Sequence, residues 1–198
     1  MKYLFFDVET TGLPKNYSVP DNDVDNWPRI VQIAWVVADS EIVNDYAAKS
    51  YVIKPDGFKI PKETSEIHGI THEHAMEFGC DLNEKLHEFN NDLSGVQYLV
   101  AHNLDFDKPV VCCEMFRCGI IPNIIDKNLF CTMKNEDIIK LCKLKQWGVY
   151  EGYKWPKLSE LFKELFGFEF DGQHDAKNDV VACAKCFFEL IERGVIKV

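Results

Sequence analysis

The chain has 198 residues, 46% of them hydrophobic and 13% aromatic, enough for one well-buried domain and short for two, so residues 1–198 are expected to form a single domain. Its formal charge of −10 excludes a basic protein that coats nucleic acid through generic phosphate attraction. No stretch has the pattern of a signal peptide or the length of a membrane span, and the eight cysteines are expected to stay thiols in a reducing cytoplasm.

The chain opens on Lys2-Tyr3-Leu4-Phe5-Phe6, a run right for a strand buried on both faces, followed at once by Asp7-Val8-Glu9-Thr10-Thr11-Gly12-Leu13. Alternation along a strand puts Asp7 and Glu9 on one side, so two negative charges share one space at the strand's carboxyl end. A divalent cation held by oxygen ligands relieves that repulsion, and the Thr-Thr-Gly turn lets backbone approach a substrate. The other reading is two solvated acids.

Pro14 to Pro28 is polar and carries three prolines. Its D-x-D-x-D run has Asn26 where a calcium loop needs glycine and Gln32 where it needs glutamate, so it is read as a surface loop. Arg29 to Ala38 and Asp45 to Ile53 read as two β-rich runs, an antiparallel hairpin ended by Pro55-Asp56-Gly57. Two short helices are expected over 61–78 and a third over Asn83 to Leu93, where apolar residues fall at helical spacing. Tyr98 to Ala101 is a short buried strand feeding a helix from Asn103 to about Cys118. A strand over Ile124 to Phe130 follows, then helices over Met133 to Leu144, Lys157 to Phe166 and Ala176 to Arg193, the last with Val180, Cys183, Ala184, Phe187, Phe188 and Ile191 inward. Cys183 and Cys186 have C-x-x-C spacing but sit in this apolar pattern with no second pair, and are read as core, as are Cys112 and Cys113. The whole is an α/β chain with a mixed sheet.

Acids thus recur at strand ends and helix starts: Asp7 and Glu9, Asp107 one turn into a helix, and Asp179 near the start of the last helix on the same side as the core position Cys183. Asp105 and Asp175 are read as helix-start acids favoured by capping and the helix dipole.

The stretches D-V-E-T-T-G, H-N-L-D-F-D and H-D-A-K-N-D resemble, in order, the three motifs of the DEDDh family of 3'-5' exonucleases, and P-R-I-V-Q-I and I-H-G-I-T resemble its DnaQ-like proofreading branch. The resemblance runs from Lys2 to about Leu190 and implies an RNase H-like fold, a mixed five-stranded sheet with helices on both faces. It implies that Asp7, Glu9, Asp107 and Asp179 are metal-site carboxylates for two ions, Mg²⁺ or Mn²⁺. Asp7 would bridge both, Glu9 and Asp179 would hold the ion at the attacking water, and Asp107 would support the second. His174 would be the general base. Bound cations would also reverse the local field where a substrate phosphate sits.

The 3' nucleotide is expected against the turn of Thr10, Thr11, Gly12 and Leu13, with His68 and Phe106 touching it and Asn103 bracing the crevice. For Leu13 and Phe106 the alternative is core packing, and for His68 a loop histidine. Departures from compact members are the loop from Pro14 to Trp27 and the region from Lys143 to Pro156. From Lys143 to Lys157 aromatics interleave with lysines, which suits either a surface for base stacking or a loop tucked onto an apolar face. The implied activity is release of nucleoside monophosphates from single-stranded or frayed DNA 3' ends. Alternatives are an exoribonuclease acting on short RNA or RNA 3' ends, and a binding subunit that proofreads only with a DNA polymerase. A homodimer is a further candidate assembly.

Overall fold

The computed structural model describes residues 1–39, 48–124, 126–145 and 152–198. Five strands form one mixed sheet in the order β3-β2-β1-β4-β5. They are β1 (Lys2–Thr10), β2 (Ile30–Asp39), β3 (Lys49–Val52), β4 (Tyr98–Ala101) and β5 (Asn128–Cys131). The apolar opening run is the central strand. It pairs antiparallel with β2 and parallel with β4, while β2–β3 is the antiparallel hairpin expected and β4–β5 is parallel. Of the second expected run, Asp45 to Ala47 lie outside the described residues.

Alternation along β1 divides the core in two. Tyr3 and Phe5 point to one face, under α7 (Ala176–Glu192) and α6 (Leu158–Phe166), where Phe187 and Phe188 make edge and tilted ring contacts with them. Leu4, Phe6 and Val8 point to the other, against α3 (Leu82–Ser94) and α4 (Leu104–Arg117). Helices therefore cover both faces, as expected. Asp7 and Glu9 continue the Tyr3–Phe5 row and share its side. A register shift between Glu9 and Thr10 ends the regular pairing with β2, the kind of irregularity that re-aims a chain at a sheet's rim. The short helices α1 (Lys62–His68) and α2 (His72–Phe78) follow the hairpin.

Cys183 and Cys186 are buried, as are Cys113 and Cys142, and all eight cysteines are free. Ile191 is partly buried on α7, the other expected inward positions fully so.

Two boundaries differ from expectation. The strand predicted over Ile124 to Phe130 begins at Asn128, because Asn128 is the first residue in register with Tyr98, while Lys127 N–H closes a turn onto the Ile124 carbonyl at 3.0 Å. Ile124 joins the core from that turn. The helix predicted from Met133 is α5 (Glu136–Cys142): Asn135 caps it by accepting from the Asp137 and Ile138 N–H groups, and Lys143 ends it in the left-handed conformation. Met133 and Lys134 are left outside the helix. Met133 lines the cleft described next.

Candidate active site

β1 and β4 run parallel, so their carboxyl ends meet at one rim of the sheet, and α4 leaves β4 there. The turn into α4 is tight: Asn103 is left-handed, with φ 84°. One turn in, Asp107 is 2% exposed, and its Oδ1 accepts the Val8 N–H at 3.3 Å. That bond ties the helix to the strand between Asp7 and Glu9.

The third contribution comes from the start of α7. Asp175 caps it, Oδ1 accepting from Lys177 and Asn178. Gln32 on β2, register partner of Glu9, clamps the same end: its Oε1 accepts the Ala176 N–H at 3.1 Å and its Nε2 donates to Asp175 Oδ2 at 3.3 Å. Asp179, one turn on, accepts the His174 N–H at 3.1 Å. His174 is exposed, in a left-handed conformation at φ 65°. Glu9, His174 and Asp179 each offer one donor atom, and the three lie within 4.8 Å of one another.

These groups line one cleft of about 550 Å³ with Asp7, Asp107, Asn103 and Phe106. Its electrostatics are unfavourable for bare carboxylates. Burial, then the charges of Asp107, Asp179, Glu9 and Asp175, push the Asp7 carboxyl well above its ordinary range. Burial and the charges of Asp179, Asp107 and Asp175 raise Glu9 from 4.5 to about 8. Asp179 rises to about 6, chiefly by burial and against the His174 N–H that favours its charged form. Asp107 is raised by burial and Asp179 despite the Val8 N–H. Oxygen donors that repel one another in a partly dry cleft fit divalent cations, whose charge favours the ionised forms that the protein alone disfavours.

The structure thus brings Asp7, Glu9, Asp107, Asp179, His174, Asn103 and Phe106 to one cleft. Phe106 also packs partly against the core. Thr10, Thr11, Gly12, Leu13 and His68 are not among the residues lining this cavity. Thr10 Oγ1 donates to the Gly12 carbonyl at 2.7 Å, and Thr11 Oγ1 accepts the Arg29 N–H at 3.0 Å, which builds the turn. Gly12 holds φ 149°, a conformation that favours glycine, and Leu13 beyond it is 76% exposed rather than core. His68 ends α1, buried; its Nδ1 accepts the Ile70 N–H at 3.1 Å, and Nε2 is buried without a hydrogen-bond partner.

Sequence reasoning passed over several residues that brace or line the cleft. Gln32 was a signal in plain view, a polar residue in an apolar strand, 4% exposed once folded. His102 is another. Its Nε2 lies 3.0 Å from the Pro156 carbonyl, which only accepts, so Nε2 carries the proton and Nδ1 accepts from the Thr132 hydroxyl at 2.9 Å. Burial lowers its pKa to about 4 and keeps it neutral. Trp155, Pro156 and Phe170 form the facing wall. In the lysine and aromatic run, Trp147 and Tyr150 lie outside the described residues.

Comparisons with known proteins bear on the family and the fold. The family model described as exonuclease, of the RNase T type, matches residues 4–187. The 3'-5' exonuclease DinG of Bacillus subtilis is 28% identical over 193 residues, 97% of this chain and 18% of that protein. The PolC-type DNA polymerase III of Mycoplasma genitalium is 30% identical over 200 residues, 98% of this chain and 12% of that one. The chain therefore spans under a fifth of the length of either relative. Escherichia coli Exonuclease I in complex with a dT13 oligonucleotide superposes with a TM-score of 0.74 at 20% identity, over 97% of this chain and 41% of that one, a likeness of fold. Its zinc-bound complex with single-stranded DNA gives 0.72 at 22% identity. With a matching model over nearly its whole length, an RNase H-like fold and the three acidic motifs meeting in one cleft, the chain belongs to the exonuclease family.

Proposed function

We propose that residues 1–198 act as one exonuclease domain that removes nucleoside monophosphates from the 3' ends of single-stranded or frayed DNA by metal-dependent hydrolysis. The observation that carries this reading is the convergence of Asp7, Glu9, Asp107 and Asp179, from three separate stretches, with His174 in one cleft. The carboxylates are the groups that would hold two ions, Mg²⁺ or Mn²⁺. Such ions supply a water of lowered pKa and stabilise the departing oxygen.

The chain's own residues do the rest. Gln32 and the Asp175 cap hold the start of α7, so Asp179 and His174 keep their place opposite Glu9. His174 is exposed and carries an imidazole, a group suited to taking the proton of the attacking water. Asn103 and Phe106 flank the acids, where they would orient the terminal nucleotide. Thr10, Thr11, Gly12, Leu13 and His68 stay in the proposal as contacts of that nucleotide, the buried and unpartnered His68 Nε2 being a polar atom that a ligand could satisfy.

A second reading, a domain that proofreads as part of a polymerase assembly, draws on the 30% match to the polymerase, of which this chain spans 12%. An exoribonuclease is the third reading, since the same motifs serve both sugars. One experiment separates them: a time course on 5'-labelled single-stranded DNA, duplex DNA and RNA, with Mg²⁺ or Mn²⁺, with chelator, and with Asp7→Ala. The expected result is a ladder that shortens from the 3' end of single-stranded DNA, lost with chelator and with Asp7→Ala. Faster shortening of RNA moves the assignment to an exoribonuclease. No shortening on any substrate defeats the stand-alone enzyme and favours the polymerase subunit.

A further inference from the structure

A second cavity, of about 650 Å³, adjoins the acidic cleft, and the two share Asn103, Met133 and Trp155. None of the four clustered carboxylates lines it. Its walls carry Tyr17, Lys108 and Lys134 instead, with Asp21 and Asp105. Lys108 pairs with Asp21 and Lys134 with Asp105, so the charges in this second cavity balance.

Trp155 stands at the junction, 55% exposed. A large indole held in water at the mouth of an acidic cleft is not there to fill the core. It is also held firmly in place. The carbonyl of the next residue, Pro156, accepts the His102 Nε2–H, which fastens the backbone beside the indole to the residue before Asn103. Lys134 Nζ lies 4.4 Å from the centroid of the Trp155 ring. Lys134 lines the second cavity and not the first, whereas Trp155 lines both, so the ammonium approaches the ring from the second cavity and leaves surface facing the acids. A polynucleotide leaving the acids meets no excess of positive charge along this route. What it meets is a π surface.

We propose that Trp155 is a stacking platform for the base next to the terminal nucleotide, and that the strand continues past Asn103 into the second cavity toward Tyr17. This rests on the exonuclease reading and narrows it: the substrate is single-stranded for at least two or three nucleotides, because an indole stacks on an unpaired base.

Trp155→Phe and Trp155→Leu test the platform, one keeping a ring and the other keeping only apolar bulk; thermal melts show whether each is folded. The readout is the ratio of kcat/KM on the oligonucleotide dT8 to kcat/KM on 5'-p-nitrophenyl thymidine monophosphate, which has no upstream base. The ratio is expected to fall about tenfold in Trp155→Leu and less than threefold in Trp155→Phe, in line with the worth of one stacked base. Equal ratios in the two variants, whether both match the parent or both fall, overturn the platform. The same pair is titrated with fluorescein-labelled dT8 in Ca²⁺ by anisotropy, with the same order of effects expected. If the parent protein hydrolyses neither substrate, the exonuclease reading fails while the titration still decides the platform.

Discussion

Asp7 and Glu9 sit on one face of a buried strand, and the consequence is a carboxylate that keeps its proton too long. Glu9 ionises near 4.5 in an unfolded chain and near 8 in the fold, so between these values the folded form holds more protons and loses stability as pH rises; above about 8 the loss is complete. His102 works the other way, since its pKa is lowered to about 4 and it costs the fold stability as pH drops below about 6.5. Between pH 6.5 and 8.5 the Glu9 effect stands alone of these two. In chelator, stability is expected to fall across that range by about 2 kcal/mol, or roughly 4–8 °C in Tm for a chain of this size. Mg²⁺ should restore more at pH 8 than at pH 6.5, because cation binding needs ionised ligands. Melts at four pH values with and without metal measure it; stability that rises with pH in chelator would contradict the assigned repulsion. Asp7→Asn removes the most crowded charge. It is expected to abolish nuclease activity while raising Tm in chelator, a pairing that loss of a merely structural residue does not produce. His174→Ala should lower kcat at least about 100-fold with oligonucleotide binding retained, since general-base groups contribute roughly 10²–10⁴; near-normal kcat removes His174 from that role.

At the scale of elements, the site is built where chain ends are clamped rather than within regular structure. The loop that presents His174 turns through Gly172 at φ 73°, and a Cβ there would lie 2.3 Å from Asn178 Nδ2, which itself donates to the Gly172 carbonyl. Gly172→Ala is therefore strained twice, by the left-handed backbone and by the clash. It should lower kcat about tenfold while Tm falls by no more than a few degrees; unchanged kcat would show that the loop's conformation does not matter for turnover. Gln32→Leu removes both bonds to the start of α7 and leaves the Ala176 N–H buried and unpaired, at a cost of about 1–3 kcal/mol. Both stability and activity are expected to drop, with Gln32→Glu disturbing activity more by adding another negative charge beside Glu9.

For the whole molecule, the net charge of −10 and the crowding of acids at the cleft mean that a polyanion has little reason to approach the metal-free protein. Affinity for a single-stranded oligonucleotide should fall at least tenfold when chelator replaces Ca²⁺, measured by anisotropy. Equal binding in both conditions would place the substrate on some other surface. Among the described residues no helix is long and apolar enough to cross a membrane. The chain spans 18% and 12% of the length of these two relatives, so their whole-protein activities are theirs alone.

Local pattern alone determined a good deal here. Four apolar residues and a period of two placed Asp7 and Glu9 side by side on the central strand, and helical spacing from Val180 to Phe188 assigned the buried side of α7 and with it the inward aim of Asp179. Caps were legible at Asp175 but overlooked at Asn135, whose side chain starts α5 three residues later than the apolar pattern suggested and frees Lys134 for Trp155. Only tertiary structure decided the rest. Val8 bonds to a carboxylate 99 residues away, Gln32 to a helix start 144 residues away, and His102 to a carbonyl 54 residues away, and no local window contains both partners. The raised pKa values have largely the same origin, since burial first, and then the charges of distant stretches together with the nearby Glu9, hold protons on acids that would ionise freely in the unfolded chain.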